Sequence, residues 1–214
     1  MKYTNRLCAL LSALILLTCS ISVKAQMATV NIGKQIWTAA NLDVESFNDG
    51  TPINEAKNVV EWTQYAESGQ PAWCFYKFEA SNGKKYGKLY NIHAILSAKG
   101  IAPAGFHVPD NDDWSTLESF LGGAGTAADL MKSTSGWMNN ANGKNTSEFN
   151  ALPGGYLHED NTFSGMTYVA AWWSASEYAV NISESNKTGL YSFGLIPVNS
   201  SNKHYGFAVR LVKN

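Results

Sequence analysis

The sequence predicts an α+β fold with a few short helices and mainly antiparallel short strands. Three observations predict it. The clearest helical pattern lies near the middle, after Pro109. A polar, Gly- and Asn-rich stretch follows it over residues 133–147. Beyond that stretch, short apolar runs alternate with turn signals. Helices followed by closely spaced strands argue segregated rather than alternating elements.

The elements follow in order. Residues 29–32 and 35–38 read as strands of a hairpin, because Gly33-Lys34 is a favourable turn pair between them. Asn48-Asp49-Gly50 is a further turn signal. Residues 51–70 are polar with scattered apolar side chains and carry no firm assignment. Residues 72–78 predict a strand, Asn82-Gly83 a turn, and 89–97 a short helix with Leu89, Ile92, His93 and Leu96 on one face. The helix after Pro109 has Asp110 as N-cap and Asp113 three residues on, as in a capping box. Trp114, Leu117, Phe120 and Leu121 share a face at helical spacing, and Gly122-Gly123 ends the run. A second short helix is expected over 126–132. Strands are expected over 149–152, 155–158, 170–176, 190–196 and 205–212. In the last, Phe207, Val209 and Leu211 face one way, and Ala208, Arg210 and Val212 the other.

Length and composition set limits on function. The 214 residues fit one domain, with 15% charged and 12% aromatic side chains. That balance argues against disorder. A net charge of −1 gives no electrostatic footprint for nucleic acid.

Residues 1–25 read as a secretory signal. Lys2 and Arg6 form a basic start, 7–17 an apolar run, and Val23-Lys24-Ala25 a cleavage site. The apolar run is too short to span a bilayer of about 30 Å, and no later segment is long enough either. A second reading ends the run at Leu16-Leu17-Thr18-Cys19, where Cys19 would carry a lipid anchor. Removal of 1–25 takes three cations, so the formal charge moves from −1 to −4 for residues 26–214. Cys8 and Cys19 leave with it, and Cys74 alone has no disulfide partner. It reads as a small buried apolar residue.

The remaining motifs resemble a known family. Gly105-Phe106-His107-Val108-Pro109 running into Asp113-Trp114 is similar to the helix-entry signature of the Fibrobacter succinogenes major paralogous domain. Ile32-Gly33-Lys34-Gln35-Ile36-Trp37, Ala40-Asn41-Leu42, Pro71-Ala72-Trp73-Cys74 and Tyr86-Gly87-Lys88-Leu89-Tyr90-Asn91 match further pieces in order. Leu152-Pro153-Gly154-Gly155-Tyr156, Trp172-Trp173-Ser174 and Gly206-Phe207-Ala208-Val209-Arg210 complete the set, over about residues 29–213. The resemblance implies a C-type-lectin-like fold, distantly similar to formylglycine-generating sulfatase modifiers. It also implies a secreted or cell-surface protein of a Gram-negative bacterium, in the outer membrane or periplasm. Members often carry a cysteine before the signature and another in the final strand. Here Ala102 or Ala104 and Leu211 stand there, as expected where a disulfide is dispensed with.

Catalytic motifs are not recognisable. One mature cysteine cannot supply the copper-holding pair of the sulfatase modifiers, and no His-Glu-x-x-His or Gly-x-Ser-x-Gly appears. Gly123-Ala124-Gly125-Thr126-Ala127-Ala128 fits a dinucleotide pattern but follows a helix, so it reads as an interhelical turn. His158-Glu159-Asp160 reads as a hairpin turn. Asp110, Asp112 and Asp113 read as helix-start carboxylates rather than Ca²⁺ ligands, so neither a metal nor a cofactor is expected. What remains is binding through aromatic rings and amides. Trp137, Asn139 and Asn140 lie in the polar stretch, where an aromatic is expected at the surface; they and Trp173 are the candidate ligand-binding residues. The expected function is an exported, non-catalytic module binding a glycan or a partner protein at the cell surface. The alternatives are a structural surface or matrix protein and a glycan-active enzyme.

Overall fold

The computed structural model describes residues 27–176, 178–184, 191–197 and 203–214. The expected signal at 1–25, with Cys8 and Cys19, lies outside the described residues. The chain opens with the expected hairpin of β1 (Thr29–Ile32) and β2 (Gln35–Thr38), Ile32 opposite Gln35 and Thr29 opposite Thr38. Gly33 takes φ +62° at its turn. Next come β3 (Asn54–Glu55) and α1 (Val59–Glu67). Asn58 caps α1 by accepting from Glu61 N–H at 3.0 Å. Trp62 and Ala66 are buried, but Val60 on the same helix is exposed, which blurs its apolar stripe.

The expected strand 72–78 is shorter than predicted. β4 covers Ala72–Cys74, after which Tyr76–Phe78 turns with Lys77 and Phe78 at φ 56° and 57°. Asn82-Gly83 is not a turn but part of α2 (Ala80–Tyr86). Gly83 is needed there for space, since a Cβ on it would lie 2.2 Å from the Phe75 ring. The helix expected over 89–97 divides into β5 (Leu89–Tyr90) and α3 (Ile92–Ile95). Asn91 causes the division. Its Oδ1 accepts from Ala72 N–H and Ala94 N–H, both at 3.0 Å, which ties β4 to the start of α3.

After β6 (Phe106–His107) comes α4 (Asn111–Phe120), with the expected capping box. Asp113 N–H donates to Asp110 at 2.9 Å, and Asp110 N–H to Asp113 at 3.1 Å. Trp114, Leu117 and Leu121 are buried as expected; Phe120 is not, being 63% exposed. Its ring lies over the hairpin turn, where a Cβ on Gly33 would be 2.8 Å away. α5 (Ala124–Met131) starts two residues before the expected 126. Gly123 at φ +84° makes the α4–α5 turn. Residues 149–152 form no strand; Ala151 makes an isolated bridge to Lys132. Then follow β7 (Gly154–Leu157), β8 (Phe163–Met166), β9 (Val169–Ser174), β10 (Tyr178–Glu184), β11 (Tyr191–Pro197) and β12 (Val212–Lys213). The expected strand 205–212 is largely a run of bridges, with Gly206, Phe207 and Ala208 paired to Leu157, Tyr90 and Trp172.

Among the described residues the strands form sheets in the orders β1-β2-β12-β6, β11-β10-β9-β7-β8 and β3-β4-β5. Most pairs are antiparallel; β3 with β4 and β7 with β9 are parallel. The fold is α+β, with a few short helices and mainly antiparallel short strands.

Two apolar clusters fill it, and three segments run between them. From β4, Ala72 and Cys74 enter the first cluster and Trp73 the second. From β9, Ala170 and Trp172 enter the first, and Ala171 and Trp173 the second. From the last run, Ala208 and Val212 enter the first, and Phe207, Val209 and Leu211 the second. The period of two in each segment serves a core on either side. In the first cluster, Trp37 and Trp114 have centroids 4.7 Å apart, and Phe149 stands edge-on to Trp172 at 5.4 Å. Each such ring buries about 150–250 Å².

Candidate ligand-binding cleft

Arg210 breaks the apolar alternation of the last run. It faces the first-cluster side, yet only 2% of it is exposed. Its guanidinium lies over the Phe149 ring, 4.5 Å from the centroid. Nε donates to Asn41 Oδ1 at 2.8 Å, Nη1 to the Thr38 carbonyl at 2.6 Å, and Nη2 to the Asn150 carbonyl at 3.3 Å. All three acceptors are neutral. Burial pulls the guanidinium down from its ordinary value to about 9, so it stays charged at neutral pH.

Both polar atoms of the Asn41 side chain are held. Its Oδ1 also accepts from Trp172 Nε1 at 2.8 Å, and its Nδ2 donates to the Tyr86 carbonyl at 2.8 Å. One amide thus joins the segment after β2, the end of α2, β9 and the last run. Gly87 follows at φ +79°, where a Cβ would crowd the Asn41 Cβ at 3.1 Å. α2 ends in Lys84 and Lys85, both exposed, which complement the helix C-terminus. The Lys85 ammonium lies 4.9 Å from the Tyr86 ring centroid.

These groups line a cleft of about 220 Å³: Asn41, Lys84, Lys85, Tyr86, Asn150 and Arg210, with Asp43 on its lip. Asp43 is already paired. It accepts from Lys88, whose ammonium also meets Glu45 at 3.3 Å and lies 4.5 Å from the Trp73 ring centroid. The cleft therefore keeps an excess of positive charge. It is smaller than the roughly 300–1,000 Å³ of most small-molecule sites, so it suits one ring or one charged group rather than a chain.

The residues selected from sequence lie elsewhere. Trp137 is 5% exposed, and its Nε1 donates to Ser133 Oγ and the Ala151 carbonyl, both at 3.1 Å. The Lys132 ammonium lies 4.3 Å from its ring centroid. The expectation of a surface indole is corrected for a physical reason. The polar stretch folds back on α5 through Gly143 N–H to Ser133 O at 3.0 Å and Lys144 N–H to Asp129 O at 2.8 Å. Asn139 and Asn140 are exposed at the tip of that loop, at φ 56° and 60°. Trp173 is fully buried in the second cluster, where its Nε1 donates to the Tyr90 carbonyl at 2.7 Å. Trp137, Asn139 and Asn140 share one loop; Trp173 is not part of it.

The other candidate groups have structural employment. Asp110 and Asp113 hold the capping box, and Asp113 also meets His107 Nε2 at 2.9 Å. His158 and Asp160 sit 3.1 Å apart in the β7–β8 turn. Burial pushes the Cys74 thiol well above its ordinary value, which leaves it a poor nucleophile. Leu211 and Ala102, the latter one of the two alanines where the resemblance places the first cysteine, pack into the same second cluster.

The cleft residues Asn41, Lys84, Lys85, Asn150 and Arg210 escaped selection from sequence. The available signal was Arg210 itself, a cation inside an apolar alternating run. No curated protein and no solved structure matches the chain. The family model described as Fibrobacter succinogenes major domain matches residues 30–213, which takes in the hairpin from Val30 on, the capped helix and both Asn41 and Arg210 of the cleft. The chain belongs to that family.

Proposed function

We propose that this domain is an exported, non-catalytic, lectin-like module that holds a glycan in the cleft between Asn41 and Arg210. The observation that carries the reading is the cleft's composition: an amide, a tyrosine and cations around an asparagine whose side-chain amide is fixed at both ends. Sugar hydroxyls are matched by amides and charged donors, and sugar C–H faces by an aromatic ring such as half-buried Tyr86. A preorganised wall lowers the entropy cost of holding a small polar ligand. Export rests on the basic start, apolar run and cleavage pattern of residues 1–25, with release after Ala25 or a lipid anchor at Cys19 as its two routes.

The test is an array of bacterial and plant surface polysaccharides, probed with purified protein in calcium and in chelator. Selective retention in both buffers is the expected result. Loss on chelation overturns the metal-independent reading. Retention by none of the sugars overturns the glycan reading in favour of a structural surface protein. Turnover of a retained polysaccharide overturns the non-catalytic part.

A further inference from the structure

We infer that the cleft takes an acidic sugar, whose carboxylate supplies the counter-charge that Arg210 lacks. The inference rests on the glycan-binding reading and adds the ligand's charge. A guanidinium has five N–H groups. Three of those on Arg210 go to neutral oxygens of Asn41, Thr38 and Asn150, and no carboxylate pairs with it among the described residues. Buried cations are ordinarily paired, because neutral hydrogen bonds return only part of the lost hydration. The two remaining N–H groups and the planar fork suit a carboxylate.

The surroundings agree in sign. Lys84 and Lys85 stand exposed on the rim, and none of the ion pairs among the described residues uses them. The acidic member of the lining, Asp43, is held by Lys88. A carboxylate entering the cleft would meet a fixed buried cation at the wall and two exposed cations at the rim. The exposed side chain of Asn150 remains for the ring that bears it, and Tyr86 is reached once Lys85 leaves its ring for the carboxylate. A carboxylate on a peptide would offer the same charge without the hydroxyls, so the source is decided by experiment.

The experiment is calorimetric titration of the whole protein with trigalacturonic acid, its methyl ester, neutral galactotriose and an oligoglutamate. The acid is expected to bind about tenfold tighter than its ester, with the difference shrinking at high salt. Arg210→Gln risks failing to fold, so two milder variants carry the test. Lys84→Ala with Lys85→Ala is expected to narrow the preference for acid over ester about threefold to tenfold. Asn41→Asp supplies the counter-charge internally but gives up the hydrogen bond to the Tyr86 carbonyl, so its melt is recorded first; with a cooperative melt it is expected to abolish the preference for acid over ester. Equal binding of acid and ester overturns the inference while leaving glycan binding in place. Oligoglutamate binding as tight as the acid overturns the sugar as source. No binding of any sugar overturns the glycan reading and the inference together.

Discussion

Trp172 and Arg210 share one acceptor: the indole Nε1–H and the guanidinium Nε–H both end on Asn41 Oδ1, each at 2.8 Å. The two donors come from β9 and from the last run, and Asn41 from the segment after β2. A single amide therefore fixes the relation of three parts of the chain, and it does so beside a buried charge.

Asn41→Ala removes that acceptor and leaves two buried donors unsatisfied, one of them charged. The expected cost is about 3 kcal/mol, since each such loss is worth about 1–3 kcal/mol. Urea unfolding followed by tryptophan fluorescence measures it. A cost below about 1 kcal/mol would show that water replaces the amide and that the cleft wall is not rigid.

Trp137→Ala tests the corrected placement of this indole. A surface contact would be lost with no change in melting. A residue 5% exposed with both Nε1 contacts inside the protein should instead cost about 3–5 kcal/mol. At about 2–4 °C per kcal/mol for a chain of this size, the melting temperature should fall by roughly 10 °C. An unchanged melt would return Trp137 to the surface.

Gly33 and Phe120 form a coupled pair. Gly33→Ala both strains a residue at φ +62° and pushes a methyl to 2.8 Å from the Phe120 ring. The expected cost is about 1–2 kcal/mol. Phe120→Ala alone should cost less than about 1 kcal/mol, because the ring is 63% exposed. In the double variant the steric part disappears and only the backbone part remains. A double-mutant cycle with zero coupling would refute the contact.

His107 gives stability a pH dependence. Burial lowers its pKa, but the hydrogen bonds its ring N–H groups donate to Asn214 Oδ1 and Asp113 Oδ2 and the Asp113 charge outweigh that, so it lies above its ordinary 6.5. A raised folded value means that the native state binds more proton. The contribution is full below 6.5 and is lost as pH rises through the folded value. The urea midpoint should therefore decline just above pH 6.5, and His107→Gln should flatten that decline. A midpoint that rises over this window in the parent protein, or an unaltered slope in the variant, contradicts the assignment.

The sequence was legible where the signals are local. The β1–β2 turn and the Asp110–Asp113 box each lie within a few residues, and both formed where expected. The alternation at 207–212 was legible too, although its two faces proved to be two cores. Illegible features depend on distant partners. Asn82-Gly83 looks like a turn until Phe75 packs over it. The polar stretch around Trp137 looks exposed until its backbone folds back onto α5. The cleft joins Asn41 to Arg210 across 169 positions, and no local pattern announces such a contact.

Residues 206–212 donate to and accept from β5, β7, β9 and the segment after β2, and feed both apolar clusters. That placement sets an order of events during synthesis. While residues 27–205 emerge, Trp172 and Trp173 lack the segment they pair with at Ala208. The native state should therefore be reached late and in one step. A chain stopped before Gly206 should show no cooperative melt, whereas a protein that matures in stages would keep one.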